Sequence, residues 1–247
     1  MKKRFAEQYG DLEEWHWWFR GRRRIIESIL SDELIAGQRR VLSVGCGPAE
    51  GLAWLLPFAG SHGKVVGLDI DATHARNLND NIEFVVGSLA DAPLADASFD
   101  VVLALDVLEH LDDDSKGLRE AVRLVKPKGL LLLTVPALPS LWGGQDVVSE
   151  HRRRYTKRSF VRLFKSAGLS EYHIRYFNTL LFPLVAAVRL SRRSAGLGVR
   201  QRSDFEDNRP GFINDALAWV FSSESRLRNY LPMPIGVSLV ATFRRDM

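Results

Sequence analysis

Short apolar runs alternate with longer amphipathic segments through the middle of the chain, between residues 40 and 177. Strands that alternate with helical patterns are typical of βαβ units, which build a parallel sheet covered by helices. The runs predict strands at 40–45, 64–69, 82–86, 99–105, 129–135 and 170–177. A last apolar run at 236–243 predicts one more strand after an interruption at 178–235.

The segments outside this core have helical patterns. Residues 1–39 carry four aromatic residues within five positions, followed by an amphipathic apolar face. These are Trp15, Trp17, Trp18 and Phe19, and then Ile25, Ile26, Ile29 and Leu30. The interruption predicts two helices, near 178–193 and 212–230, with connecting turns at 196–198 and 209–211.

Two of the predicted strands end in residues that suit a nucleoside. The first strand runs into Gly45 and Gly47, and the second ends on Asp69, 24 residues after Gly45. Glycine adopts φ > 0 and lets a ligand approach the backbone closely, and an acid at the second strand end can accept hydrogen bonds from ribose hydroxyls. The third position of a dinucleotide fingerprint is Glu50, where a pyrophosphate would need glycine. We therefore expect a cofactor that has a ribose but no phosphate chain.

At this point the sequence resembles the class I S-adenosylmethionine-dependent methyltransferases. The segments that carry the resemblance are Val-Gly-Cys-Gly at 44–47, Gly67-Leu-Asp69, Phe84–Leu89, Ser98–His110 and Leu124–Leu133. They occur in the family's order. Ser43, Ala49 and Lys128 depart from the family's usual acid, glycine and Pro-Gly-Gly turn.

The resemblance implies an α/β fold: a Rossmann-like, doubly wound, seven-stranded mixed sheet whose last strand is antiparallel. It also implies one folded domain with a helical lid segment at 1–39, an S-adenosylmethionine-binding core at 40–177, a helical insertion at 178–235 and the final strand at 236–247. The residues that it implies for binding S-adenosylmethionine, and its product S-adenosylhomocysteine, are Gly45, Cys46, Gly47, Asp69, Ile70, Ser88, Leu89 and Leu105.

Composition and charge limit the cellular location and the kinds of partner that we expect. The single cysteine, Cys46, excludes an internal disulfide framework, and no apolar leader or membrane span is apparent, so we expect a cytoplasmic protein. The net charge is +4, and basic clusters occur at 20–24, 152–158 and 189–202, two of which flank aromatic or apolar helices. This pattern suggests peripheral contact with an anionic inner membrane face or a phosphorylated amphiphile. Nucleic acid is not expected, because the fourth strand ends Leu105-Asp-Val-Leu and not in the Asn/Asp-Pro-Pro-aromatic motif of amino-base methyltransferases.

Three residues are candidates for catalysis: His110 and His151 as general bases, and Asp106. Asp106-Val-Leu-Glu-His110 also resembles a pattern that binds a divalent cation in quinone-biosynthesis O-methyltransferases. The same Glu-His pair occurs in relatives not known to need metal, and Glu109 can complement a helix N-terminus, so we assign no metal ligands.

Downstream residues resemble a smaller bacterial group within the family, through Val135-Pro-Ala, Leu141-Trp, Asp146 and His151-Arg-Arg-Arg-Tyr155. Trp142 could stack on an acceptor, and Arg152 and Arg153 could hold a phosphate or carboxylate, with Tyr155 beside them. The alternative is that the arginines form an internal salt-bridge network.

We expect a methyltransferase that acts on oxygen of a small or lipid- or glycan-linked acceptor. The alternatives are a metal-assisted, quinone-type O-methyltransferase at the membrane surface and a catalytically silent S-adenosylmethionine-binding protein.

Overall fold

A computed structural model describes residues 12–74, 80–194, 205 and 209–246. The turn expected at 196–198 lies outside these residues. The strands are β1 Arg40–Val44, β2 Lys64–Asp69, β3 Ile82–Val86, β4 Phe99–Leu105, β5 Val125–Pro136, β6 Tyr172–Phe177 and β7 Ser238–Arg244. The described helices are α1 Trp17–Glu33, α2 Leu56–Ala59, α3 Asp114–Leu124, α4 Gly144–Val148, α5 Lys157–Ser166, α6 Phe182–Ser194 and α7 Phe212–Leu227.

The seven strands form one sheet in the order β3-β2-β1-β4-β5-β7-β6. The pairs β1–β2, β1–β4, β2–β3 and β4–β5 are parallel. The last strand runs the other way, since Gly129 pairs with Arg245 and Ala137 with Val237. The expected seven-stranded mixed sheet is confirmed.

The strand sequences explain this order. β1, β2 and β4 lie in the middle of the sheet, and their central residues are buried on both faces, as a parallel sheet covered by helices requires. β5 begins four residues before the predicted strand. Lys128 takes a left-handed φ of 64° there and still donates its N–H to Arg245 O at 2.7 Å. The segment predicted as a turn is therefore an irregular part of the strand.

The described residues group into two compact units. The first, the sheet unit, comes from Glu33–Val135, Lys157–Ile174 and Val240–Met247. It holds β1 to β4 and most of β5, with α3 and α5 on the chain between the strands. The apolar face of α5 buries Phe160, Leu163 and Phe164, and Asp113 caps α3 by accepting the Lys116 N–H at 2.8 Å.

The second, the helical unit, comes from Met1–Asp32, Pro136–Thr156 and Arg175–Leu239. It combines most of the expected lid and insertion segments with residues 136–156, which the sequence pattern had grouped with the core. In it α1 packs along α7: Trp17 lies edge-on to Phe221 at 5.9 Å, and Ser28 Oγ donates to Ser225 O at 3.1 Å. The apolar residues predicted on the face of α1, Ile25, Ile26, Ile29 and Leu30, are all buried.

The N-terminal aromatic residues surround a buried histidine. Trp15, Trp17 and Phe19 lie within 6.0 Å of the His16 ring, and Phe205 lies 4.9 Å from it. Burial lowers the pKa of His16 to about 4, so the ring is neutral, and its Nδ1 accepts the Trp18 N–H at 3.2 Å. These aromatic side chains therefore stabilise the helical unit. The lid function of 1–39 stays a prediction.

Glu224 of α7 holds the start of α6. This residue is 1% exposed, and its Oε1 accepts the Leu180 N–H at 2.7 Å, just before α6 begins. Burial raises the pKa of Glu224, and hydrogen bonds from the backbone of residues 178–180 oppose that rise. Throughout the part of the chain that the structure describes, each helix is too short or too polar to cross a bilayer.

Candidate cofactor and catalytic site

The loop after β1 is shaped by two glycines in the left-handed region. Gly45 has φ of 60° and Gly47 has φ of 62°, a conformation that costs other residues about 1–2 kcal/mol. A Cβ on Gly45 would lie 2.8 Å from Val107 Cγ2, but a Cβ on Gly47 would meet nothing within 4 Å. Gly45 is therefore required by packing, and Gly47 leaves open space beside its backbone.

Asp69, at the end of β2, joins the loops at the carboxyl ends of three strands. Its Oδ2 accepts the Gly47 N–H at 2.9 Å, its Oδ1 accepts the Asp71 N–H at 3.0 Å, and its backbone oxygen accepts the Gly87 N–H at 2.9 Å. Carboxylate oxygens accept hydrogen bonds from hydroxyl groups as well as from backbone N–H groups. The arrangement fits the ribose-binding role predicted for Asp69.

Apolar side chains are exposed beside this carboxylate. Ile70, the next residue, is 76% exposed, and Val86, which pairs with Asp69 across β2 and β3, is 48% exposed. Of the other predicted cofactor residues, Leu89 is buried and Ser88 Oγ caps the turn at 89–91 by accepting the Ala90 N–H at 3.2 Å. Cys46 and Leu105 are half-buried. The sheet unit thus places all the predicted cofactor residues at the carboxyl ends of β1 to β4.

The loop after β4 adds Asp106 and His110 to the same unit. Asp106 has a left-handed φ of 59°, and its N–H donates to Thr134 O of β5 at 3.0 Å. His110 is half-buried at the end of a 3₁₀ turn, Leu108–His110, in which Glu109 is fully buried. The loop after β4 therefore holds both predicted catalytic residues of this unit, Asp106 before the turn and His110 at its end.

The other predicted residues lie in the helical unit, around a carboxylate that is completely buried. Asp146 Oδ1 is 2.9 Å from His151 Nδ1 and 2.9 Å from the Arg154 guanidinium, and its Oδ2 accepts the Gly143 N–H at 2.7 Å. Arg189 of α6 approaches Oδ2 at 3.4 Å. Four donor groups on one carboxylate satisfy the hydrogen-bonding capacity of a buried anion.

The charge of Asp146 sets the tautomer of the neutral His151 ring. Burial alone would raise the pKa of Asp146, but the hydrogen bond from His151 and the charges of Arg154 and Arg189 prevail and lower it to about 2. An ionised Asp146 accepts only, so the neutral His151 ring carries its proton on Nδ1. Nε2 is then the basic nitrogen, on a side chain that is 11% exposed.

Arg154 is a structural residue of this unit. Its Nε donates to Ala137 O at 2.8 Å, one terminal nitrogen to Asp146, and the other to Val237 O at 3.1 Å. Tyr155 is buried, and its N–H donates to Pro136 O at 2.8 Å. Arg154 thus forms the internal network that was the alternative interpretation of this arginine-rich segment.

Three of the four predicted acceptor-binding residues are more accessible than Arg154, and the fourth, Tyr155, is buried. Trp142 and Arg152 are exposed and Arg153 is half-buried. Sequence reasoning named Asp146 only as part of a motif and missed its contact with His151. The spacing of five residues between an acid and a histidine was the signal that could have suggested it.

The carboxyl ends of a doubly wound sheet, with a glycine bend and an acid on the adjacent strand, define a class of nucleoside-cofactor domains. Residues 42–133 match the model of the family described as methyltransferase domain. The chain carries a class I S-adenosylmethionine-dependent methyltransferase domain.

Two curated relatives show how far the similarity extends. A probable S-adenosylmethionine-dependent methyltransferase of Mycobacterium tuberculosis is 32% identical over 163 residues, which are 64% of this chain and 57% of the relative. The chain thus spans little more than half of that relative's length. A demethylmenaquinone methyltransferase of Listeria monocytogenes is 28% identical over 164 residues, which are 63% of this chain and 68% of that protein.

A solved structure is similar in fold. The putative methyltransferase of Bacillus halodurans superposes with a TM-score of 0.57 at 19% identity, over 90% of this chain and 99% of that one. At this identity the likeness concerns the fold, and it agrees with the seven-stranded sheet described above.

Proposed function

We propose that the protein transfers a methyl group from S-adenosylmethionine to an oxygen of a small or lipid- or glycan-linked acceptor, with His151 as general base. The observation that carries the proposal is the contact between His151 Nδ1 and the ionised, fully buried Asp146, which leaves Nε2 basic. An orienting carboxylate behind a histidine is the arrangement that general-base catalysis needs.

The sheet unit suits the cofactor. In this proposal, Asp69 accepts hydrogen bonds from the ribose hydroxyls, Ile70 covers the adenine, and the open space beside Gly47 admits the cofactor close to the backbone. S-adenosylmethionine supplies a methyl group on a positively charged sulfur, which makes the methyl carbon electrophilic.

The chain contributes proton transfer and alignment. As the acceptor oxygen bonds to the methyl carbon, its proton passes to His151 Nε2, and the electron pair of the broken carbon–sulfur bond stays on sulfur, which becomes neutral. Asp146 stabilises the positive charge on the imidazole and keeps the ring oriented. Trp142, Arg152 and Arg153 are proposed to bind the acceptor through stacking and through an anionic group.

Two alternative functions differ from this proposal in the acceptor or in whether methyl transfer occurs at all. The Listeria relative is named for a quinone acceptor, which supports a quinone-type acceptor as the second candidate. In the metal-assisted form of that reaction, Asp106, Glu109 and His110 would hold the cation. A catalytically silent cofactor-binding protein is the third.

The test is transfer of labelled methyl from S-adenosylmethionine into a bacterial lipid and glycan extract, with magnesium and with a chelator. The proposal predicts labelled ether or ester products whose formation requires His151 and does not require magnesium. Labelling that depends on magnesium supports the quinone-type alternative. Labelling at nitrogen or carbon contradicts oxygen as the acceptor, and cofactor binding without any labelled product supports the silent protein.

A further inference from the structure

The insertion at 178–235 carries most of the exposed apolar surface of the described chain. Fourteen large hydrophobic residues are exposed among the described positions, and ten of them lie in this segment. They are Leu180, Leu184, Val188, Leu190, Phe212, Ile213, Trp219, Tyr230, Leu231 and Ile235. Since scattered exposed residues are ordinary and a concentration of them is not, this segment is a candidate interaction surface.

These residues are arranged along helices. Phe212 and Trp219, 87% and 74% exposed, are seven residues apart and therefore lie on one face of α7. Leu184 and Val188, 52% and 40% exposed, are four residues apart on α6, and Leu180, 40% exposed, lies two residues before the helix. Opposite Trp219, α7 buries Asn214, Ala218 and Phe221. Each helix thus packs on one side and presents apolar side chains on the other.

The sequence of the insertion carries a net positive charge. Between residues 178 and 235 there are eight arginines, no lysine and five acids, a balance of +3. The two acids of α7 are neutralised or hidden, because Asp215 pairs with Arg20 at 2.5 Å and Glu224 is buried. Arg209 and Arg226 are exposed.

Exposed aromatic and aliphatic side chains bordered by arginines are complementary to an anionic lipid bilayer, where apolar groups enter the interface and cations meet the headgroups. A second copy of this chain would instead bring the same positive charges together. We propose that the exposed apolar faces of α6, with Leu184 and Val188, and of α7, with Phe212 and Trp219, dock the protein peripherally on an anionic membrane. The exposed Arg209 and Arg226 would meet its headgroups. This inference deepens the proposed function, because it assigns the lipid-linked class of acceptor.

The test is co-sedimentation with vesicles of phosphatidylcholine alone and of phosphatidylcholine mixed with phosphatidylglycerol, at low and high salt. Wild-type protein should sediment with the anionic vesicles at low salt and be released at high salt. The double variant Phe212→Ser, Trp219→Ser should lose roughly ten-fold or more in vesicle affinity. Ile35→Ser is the matched control, since Ile35 is 86% exposed outside the insertion, and it should bind like wild type.

A second readout locates the contact. Lipids brominated on the acyl chain should quench part of the tryptophan fluorescence of wild-type protein, and Trp219→Phe should lose that part while still sedimenting. Absence of sedimentation with anionic vesicles overturns the proposal, as does equal sedimentation of the double variant. A wild-type dimer in ultracentrifugation that becomes monomeric in the double variant also overturns it, in favour of self-association. S-adenosylhomocysteine binding, measured without lipid, reports separately on the methyltransferase proposal.

Discussion

Asp146 and His151 form a hydrogen-bonded pair of 2.9 Å in which the carboxylate is fully buried and the imidazole reaches the surface. Arg154 and Arg189 keep the carboxylate ionised, so the histidine is held in one tautomer. The same carboxylate therefore links the stability of the helical unit to the proposed proton transfer, and substitutions can separate the two roles.

Replacing the base should reduce turnover without unfolding the protein. His151→Gln leaves Asp146 paired with Arg154, so we expect an unchanged melting temperature and a methyl-transfer rate lower by ~10²–10⁴-fold. His62→Gln, at an exposed histidine of the sheet unit, is the control and should retain full activity. If His151→Gln turns over like wild type, His151 is not the base.

Removing the carboxylate should instead destabilise the protein. Asp146→Asn leaves the buried Arg154 guanidinium without its counter-charge, and the loss of one partner of a buried ion pair costs about 3–5 kcal/mol. Asp215→Asn is the comparison, because its exposed pair with Arg20 should contribute about 1 kcal/mol or less. Chemical denaturation measures both, and equal losses would show that Asp146 is not a structural centre.

Acid should weaken the wild-type protein through the same residue. The pKa of Asp146 is lowered from 3.8 to about 2, so its contribution is present above pH 3.8 and is lost as the pH falls through the folded value. Denaturation between these two pH values should show a fall in stability that Asp146→Asn lacks.

Glu224 should produce the opposite dependence on pH. Its folded pKa is raised above 4.5 by burial, so the unfolded chain ionises first and stability declines as the pH rises from 4.5 toward the folded value. Each unit of that rise corresponds to about 1.4 kcal/mol. Glu224→Gln retains an oxygen acceptor for the Leu180 N–H and should flatten the decline. Glu14→Gln, at an exposed acid, should leave it unchanged, and a decline that persists in Glu224→Gln would assign it to other groups.

Two glycine variants can distinguish the cost of backbone strain from the loss of cofactor binding. Gly47→Ala places a methyl group in open space at φ of 62°, so stability should fall by about 1–2 kcal/mol while cofactor binding is blocked. Gly168→Ala is matched, because Gly168 has φ of 74° and equally open surroundings, and it should lose similar stability while binding the cofactor normally. If both variants bind equally well, the space beside Gly47 is not the cofactor site.

Local patterns were sufficient to predict the sheet and the glycine bend after β1. β3 and β4 have the predicted bounds, because each is an apolar run that contains a single acid and is bordered by polar residues or glycine. Gly45, Gly47 and Asp69 were recognisable because the turn and the strand end that they occupy are properties of short segments. β5 was predicted too short, since Lys126-Pro-Lys-Gly129 is a turn sequence that the pairing with β7 holds in a strand.

The network around Asp146 depends on tertiary contacts that no local pattern contains. Arg189 is 43 positions along the chain from Asp146, which it contacts. Arg154 donates to the backbone oxygens of Ala137 and Val237, which are 17 and 83 positions away from it. The sequence could show that arginines cluster near 152–154. Which of them is buried depends on tertiary contacts, here those of Arg154 with the backbone of Ala137 and Val237.

The most direct test of the proposed S-adenosylmethionine site is calorimetry of S-adenosylhomocysteine binding to the purified protein and to Asp69→Asn. We expect micromolar binding to the wild-type protein. Affinity for Asp69→Asn should be at least ten-fold weaker, a loss of about 1.4 kcal/mol in binding free energy, because the carboxylate that accepts the Gly47 N–H becomes an amide. Asp96→Asn, at an exposed acid paired with Arg123, should bind like wild type. Absence of binding to the wild-type protein, or equal binding to Asp69→Asn, would contradict the assignment of this site.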